Sequence, residues 1–168
     1  MLKKLLALVG VLGTAQAQPV RPPVDLNKPV ENPALVQAME RVASDGSDQA
    51  KDALLTELRR ANFLAAILTD EMKTTSTEPG LTTIEKGSRI KFLAAGKDSK
   101  QYLPLFSDWQ AIRAYTDLNV SALVLPAVDA WSFALQGDTY QGVVINPAHN
   151  ALPLERPMLQ FLSTQAHE

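Results

Sequence analysis

Among the side chains that carry acid, base or metal chemistry, histidine occurs twice in the 168 residues and cysteine not at all. His149 stands in the loop pattern Asn146-Pro147-Ala148-His149-Asn150, where a polar tip after a buried strand could present an imidazole as general acid or base. With Tyr140 just upstream, Asn146 and His149 outline the pocket that a small-molecule-binding or hydrolytic domain would use. No serine or cysteine nucleophile motif accompanies them. His167 is the penultimate residue and is read as a frayed end. The lack of cysteine removes disulfides, thiolate nucleophiles and Cys-ligated zinc. A site built from His149 with Asp129 or Asp138 lacks paired-histidine spacing, so no metal and no cofactor are expected. Asp70-Glu71, or Asp138 with Glu155, could serve as a glycosidase acid and base. Such pairs also arise by chance, and on loops they are simply solvated. G-x-S-x-G, G-x-G-x-x-G, a phosphate-binding glycine loop and H-E-x-x-H are all missing. No catalytic residue is assigned.

Composition narrows the classes further. With 46% apolar and 20% charged residues the chain can bury a core. A net charge of −2 without a long run of either sign, and only 6% aromatic residues, exclude a protein that binds nucleic acid by counterion release and base stacking.

Positioning elements begin after a leader. Met1-Leu2-Lys3-Lys4, the uncharged run Leu5 to Leu12 and Ala15-Gln16-Ala17 have the order of a secretory signal peptide, residues 1–17, cleaved before Gln18. Roughly ten apolar residues at about 1.5 Å each do not cross a bilayer, so no stable membrane span is expected. Losing Lys3 and Lys4 takes the net charge from −2 to −4. The expected location is periplasmic or secreted, the alternative cytoplasmic. Residues 18–33 hold five of the eleven prolines and read as an extended polyproline-type linker. The domain proper is residues 34–168.

Asn32-Pro33 is a helix start, with the amide as N-cap and Leu35, Met39 and Val42 on one face. A second helix from Ser47 or Asp48 buries Ala50, Ala53, Leu54 and Leu58. Phe63 to Leu68 is a continuous apolar run, the pattern of a central strand buried on both faces. Thr69 to Gly80 is expected to be a loop or long hairpin connection, and Leu81–Ile84 with Arg89–Ala94 a hairpin around Glu85-Lys86-Gly87-Ser88. Tyr102 to Phe106 is a strand that Pro104 places at an edge or interrupts. Ser107-Asp108 caps a helix carrying Trp109, Ile112 and Tyr115. Ala122 to Leu125 is a strand, and a helix after Pro126 turns Val128, Trp131 and Leu135 inward. Val143 to Ile145 is the last strand, and Pro157 opens a helix with Met158, Phe161 and Leu162 inward. Trp109 and Trp131 are expected as core anchors, and the glycines at 80, 87, 96, 137 and 142 as turn or helix-end residues. The expected fold is α+β, a mixed sheet of about five strands in which an antiparallel meander is followed by αβαβα, with helices packed on the sheet.

Three segments in order, Leu103-Pro104-Leu105-Phe106-Ser107-Asp108, Val124-Leu125-Pro126 and Gly142-Val143-Val144-Ile145-Asn146-Pro147, resemble the N-terminal domain of the SseB (enhanced serine sensitivity) family. The similarity extends over about Asn32 to Gln165. It departs from the family at the leader, since members typically lack an export signal, and longer members continue into a second domain. The resemblance implies an α+β module without established catalytic residues, a regulatory or interaction domain, and supplies no site residues. The expected function is therefore a non-enzymatic exported module that binds an as yet unidentified protein partner. Its binding surface is expected at an exposed edge next to Pro104 or at an apolar patch of Leu103, Leu105 and Trp109.

Overall fold

The apolar run after Asn62 forms the strand on which the molecule is built. In the computed structural model, which describes residues 29–68, 74–78, 81–84, 91–97 and 100–164, strand β1 spans Asn62–Leu68. Phe63 and Ala65 point into one hydrophobic cluster, Leu64 and Ala66 into another, and all four are at most 2% exposed. Side chains alternate across a strand, so a strand covered on both faces must be apolar at every position.

Two helices precede it. Helix α1, Pro33–Asp45, buries Leu35, Ala38 and Met39, and α2, Asp48–Arg60, buries Ala50, Leu54 and Leu58. Ser47 caps α2 by accepting the Ala50 N–H at 3.3 Å. Asn32 begins α1 as expected, but its side chain makes no cap.

The segment after β1 differs from expectation. Thr74–Glu78, inside the presumed connection, is strand β2 and pairs antiparallel with β3, Leu81–Ile84. The threonines there favour extended backbone over a loop. The expected hairpin partner of Leu81–Ile84 instead supplies β4, Lys91–Phe92, which pairs with the end of β1 at Ile67 and Leu68. The proposed turns at Pro79-Gly80 and Glu85 to Ser88 lie outside the described residues.

Strand β5, Ala95–Lys97, turns back antiparallel onto β6, Lys100–Leu105. Helix α3, Trp109–Tyr115, leads to strand β7, Val120–Pro126, which pairs antiparallel with β1 at all seven positions. Helix α4, Ala127–Leu135, crosses to β8, Gly142–Ile145, parallel to β6. Strand β9, Leu152–Glu155, then pairs antiparallel with β8 and runs into α5, Arg156–Thr164. The strands thus form β4-β1-β7 and β5-β6-β8-β9, beside the β2-β3 pair. An antiparallel bridge joins the first two sheets, Leu64 and Phe106 each donating to the other's carbonyl at 2.9 Å. The fold is α+β with mixed pairing. Helices α1, α2, α4 and α5 bury residues against one face, and Ile112 of α3 packs on the other.

Pro104 is tolerated for the reason anticipated. Strand β5 reaches only Tyr102, so at Pro104 the edge away from β8 has no ladder to feed. Strand β9 was not expected, because Pro153 breaks its pattern. It has a neighbour on one side only, where a missing N–H is harmless. Gly142 is not a turn glycine. It lies in β8 directly under β9, where a Cβ would run into the Leu154 carbonyl oxygen and sit 3.1 Å from Glu155 Cα.

Two helices are rotated from their expected faces. In α4 the buried stripe is Ala127, Ala130, Trp131 and Ala134, with Val128 and Leu135 on its flanks. The small alanines let α4 approach the sheet, and Trp131 stacks tilted on Phe63 at 5.2 Å. In α5, Leu159 and Leu162 are buried, while Met158 and Phe161 are 39% and 42% exposed. The Arg59 guanidinium lies 5.9 Å over the Phe161 ring. Each fully buried Leu, Ile or Phe contributes about 1.5–3 kcal/mol relative to exposure. The core therefore rests on the sheet–helix face, with a smaller cluster under α3.

Candidate functional site

The parallel strands β6 and β8 end side by side, and the chain leaving each of them builds the site. After β6 come Ser107 and Asp108, then α3; after β8 comes the loop Asn146 to Asn150. Ser107 and Asn146 are the buried polar residues among those described, 0% and 7% exposed. Asn146 takes a left-handed backbone, φ 48°, which asparagine tolerates better than other side-chain-bearing residues. That turn aims its amide at Ser107. The Ser107 N–H donates to Asn146 Oδ1 at 3.0 Å, and Asn146 Nδ2 donates to Ser107 Oγ at 2.9 Å. The Ser107 hydroxyl donates to Asp108 Oδ2 at 2.8 Å, while Asp108 Oδ1 caps α3 by accepting the Ala111 N–H at 2.8 Å. Asn32 closes the network from α1, its Nδ2 donating to the carbonyls of Ser107 at 2.7 Å and Asn62 at 2.9 Å.

This arrangement fixes what the site can do. Ser107 has no exposed surface and its hydroxyl donates to a carboxylate, so its polar groups are spent on holding the two strand ends together. A fully satisfied buried network of this kind rigidifies its surroundings. Asn146, a sequence candidate for binding, holds strand ends together.

Two grooves open above the network. One, of about 370 Å³, is bounded by Val36, Ser107, Asp108, the α3 residues Gln110, Ala111 and Ala114, and the loop residues Asn146, Ala148 and His149. The other, of about 530 Å³, lies between residues 29–33, α1 and the start of α3, and shares Val36, Asp108 and Gln110 with the first. Glu31, Glu40 and Asp108 line the second groove, with no Lys, Arg or His. Trp109 stands on its rim, 40% exposed.

The remaining candidates are dispersed. Leu103 and Leu105 are 1% and 0% exposed and pack into the core cluster of the sheet's helix-bearing face. They form no surface patch with Trp109, because they line the opposite face of the sheet from the one that α3 covers. Trp109 in turn is not a core anchor: it is the first residue of a short helix whose Ala111, Ile112 and Tyr115 already meet the sheet. His149 is exposed and shares the first groove with Asn146, its N–H closing a turn on the Asn146 carbonyl at 3.0 Å. Tyr140 precedes β8, whereas Asn146 follows it. A four-residue strand of about 3.3 Å per residue separates the two, and Tyr140 does not reach the groove. It packs tilted on Phe133 at 6.3 Å, and burial pushes its hydroxyl above the ordinary value. Arg156 fastens that end by donating to the carbonyls of Tyr140 at 2.9 Å and Leu135 at 3.1 Å. Asp129, Asp138 and Glu155 are exposed, and among the described residues no three His, Asp or Glu side chains converge as metal ligands would. Among those residues, too, no helix is long and apolar enough to cross a membrane.

The sequence marks Ser107 and Asn32 only at helix starts and does not single out Glu31 or Glu40. The Asn-Pro pair marked a helix start, and nothing local distinguishes a capping amide from one that reaches across the fold.

A family model described as the SseB protein N-terminal domain matches residues 35–160. No curated protein and no solved structure matches the chain.

Proposed function

The chain belongs to the SseB protein N-terminal domain family, and on that footing we propose that it is a non-enzymatic, exported module that binds another protein through the grooves between α1, α3 and the Asn146 to Asn150 loop. The observation that carries this reading is the contrast at the groove. The Ser107, Asp108 and Asn146 groups that line the first groove are committed to one another, while the Trp109 indole that lines the second is 40% exposed. Tryptophan half-exposed beside a concave surface is a characteristic anchor for a protein partner. Export rests on residues 1–17, whose basic start, apolar run and small-x-small end support a cleaved leader.

A photo-crosslinking side chain placed at Gln110 in the native host tests the binding surface, with exposed Ser132 on α4 as the control position. A discrete protein adduct from position 110 and none from position 132 is expected. Equal or absent adducts at both would overturn the placement. Intact mass in separated cell fractions tests export, the expected species beginning at Gln18.

A second reading, a small-molecule-binding or hydrolytic domain, draws on His149 and Asn146 sharing one groove. It requires His149→Ala to abolish ligand binding or turnover.

A further inference from the structure

Of the four strands at the ends of the sheets β4-β1-β7 and β5-β6-β8-β9, three carry a residue that discourages further pairing: Lys91 in β4, Lys97 in β5 and Pro153 in β9. Strand β7 differs. From Leu118 to Val128 the chain holds no charged residue, its one proline there, Pro126, is the last residue of the strand, and the register with β1 runs without a bulge. Among the described residues β7 pairs with β1 alone.

The hydrogen bonds of β1 show which groups the open edge presents. Leu64 exchanges both its bonds with Phe106, and Ala66 accepts from Leu93, all on the side of β1 away from β7. Bonding direction alternates by residue along a strand, so Phe63, Ala65 and Ile67 bond to β7, where Leu125, Leu123 and Ser121 answer them. The N–H and C=O groups of Val120, Ala122 and Val124 therefore point outward, while their side chains pack with Ile112 on the face that α3 covers. Beside them opens a groove of about 470 Å³ bounded by Trp109, Ile112, Leu118 and Val120, with Leu118 60% exposed. Its charged residues, Arg113 and Asp117, are opposite in sign, so it suits a neutral segment. A free ladder edge beside such a groove takes an added strand, the main chain on the ladder and alternate side chains in the groove.

We propose that the added strand is β7 of a second copy of this chain, paired antiparallel about a twofold axis through Ala122. Residues 120–126 have the neutral, valine-bearing character that the edge and the groove call for, and no like charges meet across the axis. With Ala122 opposite Ala122 and Val120 opposite Val124, every outward N–H and C=O of these three residues finds a partner, and the valines pair across the seam. Centring on Leu123 instead places Pro126, which has no N–H, opposite Val120. At about one hydrogen bond per 100–200 Å², the seam corresponds to roughly 600–1,200 Å² of buried surface, the size of a reversible contact. Its dissociation constant should be on the order of 10 µM. The seam is distinct from the binding surface between α1 and α3, since of the residues bounding those two grooves only Trp109 borders this one.

Sedimentation equilibrium of the full chain at about 1–200 µM tests the proposal, a monomer–dimer equilibrium being the expected result. Ala122→Pro should raise the dissociation constant about thirtyfold, because both central bonds are lost while the ladder to β1 does not use that N–H. An unchanged circular dichroism spectrum verifies that this variant folds. A chain that stays monomeric throughout, or a dimer that tolerates the folded Ala122→Pro variant, would overturn the proposal. Cysteines, of which the chain has none, read the register without relying on that variant. Ser121 of one copy would lie opposite Leu123 of the other at about 4.5 Å between Cα atoms, within disulfide range. Under mild oxidation a mixture of Ser121→Cys and Leu123→Cys chains should form a linked dimer that neither variant forms alone. No link in the mixture, or equal linking by the single variants, would refute the seam at Ala122.

Discussion

Replacing Asn146 by alanine should destabilise the domain by about 3–6 kcal/mol, built from three terms. The Ser107 N–H, in a residue with no exposed surface, loses its acceptor at 3.0 Å and is left unsatisfied, costing about 1–3 kcal/mol. Ser107 Oγ loses the donor at 2.9 Å, about 1 kcal/mol more. Alanine must also adopt φ 48°, a left-handed backbone costing about 1–2 kcal/mol. With a urea slope of about 2 kcal/mol per molar, the unfolding midpoint should fall by roughly 1.5–3 M. The titration is read by the fluorescence of Trp131, buried in the core. Asn146→Gly separates the terms, since glycine adopts the same backbone freely but makes neither hydrogen bond. It should lie about 1–2 kcal/mol above the alanine variant and still well below wild type. An alanine variant within about 0.5 kcal/mol of wild type would refute the structural role of Asn146. Equal midpoints for the alanine and glycine variants would refute the backbone term alone.

Gly142→Ala should lower the melting temperature by more than about 3 °C, because a methyl group there meets the backbone of β9 and one strand must shift; an unchanged melt would mean that the strands part freely. Tyr140 should make stability fall at alkaline pH. Burial raises its hydroxyl above the ordinary value of 10.0, so its stabilising contribution is whole below that pH and is lost as pH climbs through the higher folded-state value. Tyr140→Phe should flatten the decline above about pH 10 in urea midpoints measured across that range, and an identical decline in the variant would refute the assignment.

What the sequence made legible was local. The run Phe63 to Leu68 announced a strand covered on both faces, the second helix starts where Ser47 or Asp48 was expected to begin it, and Asp108 of the expected Ser107-Asp108 pair caps α3. The family resemblance, carried by three short segments in order, matches the family found over residues 35–160. Elements whose partners are distant were harder. Leu81–Ile84 had two possible hairpin neighbours, and the choice of Thr74–Glu78 followed from pairing that no single segment encodes. The site was the least legible part, because its bonds join residues 39 and 75 positions apart. Leu103 and Leu105 read equally well as surface or core, because alternation gives the face of a strand but not which face is covered. Tyr140 and His149 are close in sequence, but the strand between them carries the chain to the opposite end of the sheet.

The two bonds from Asn32 also determine how the domain would meet tension. Its amide grips the carbonyl of Asn62, where β1 starts, and that of Ser107, just past the end of β6. These points flank the Leu64–Phe106 bridge that stitches the two sheets. A pull on the chain ahead of Pro29 therefore reaches this seam before it can unwind α1. It loads several bonds of the sheet junction together, as a clasp does, instead of peeling the helix one turn at a time. A domain hung from its N-terminal side would carry that load across its sheets, with α1 spared until the clasp gave way.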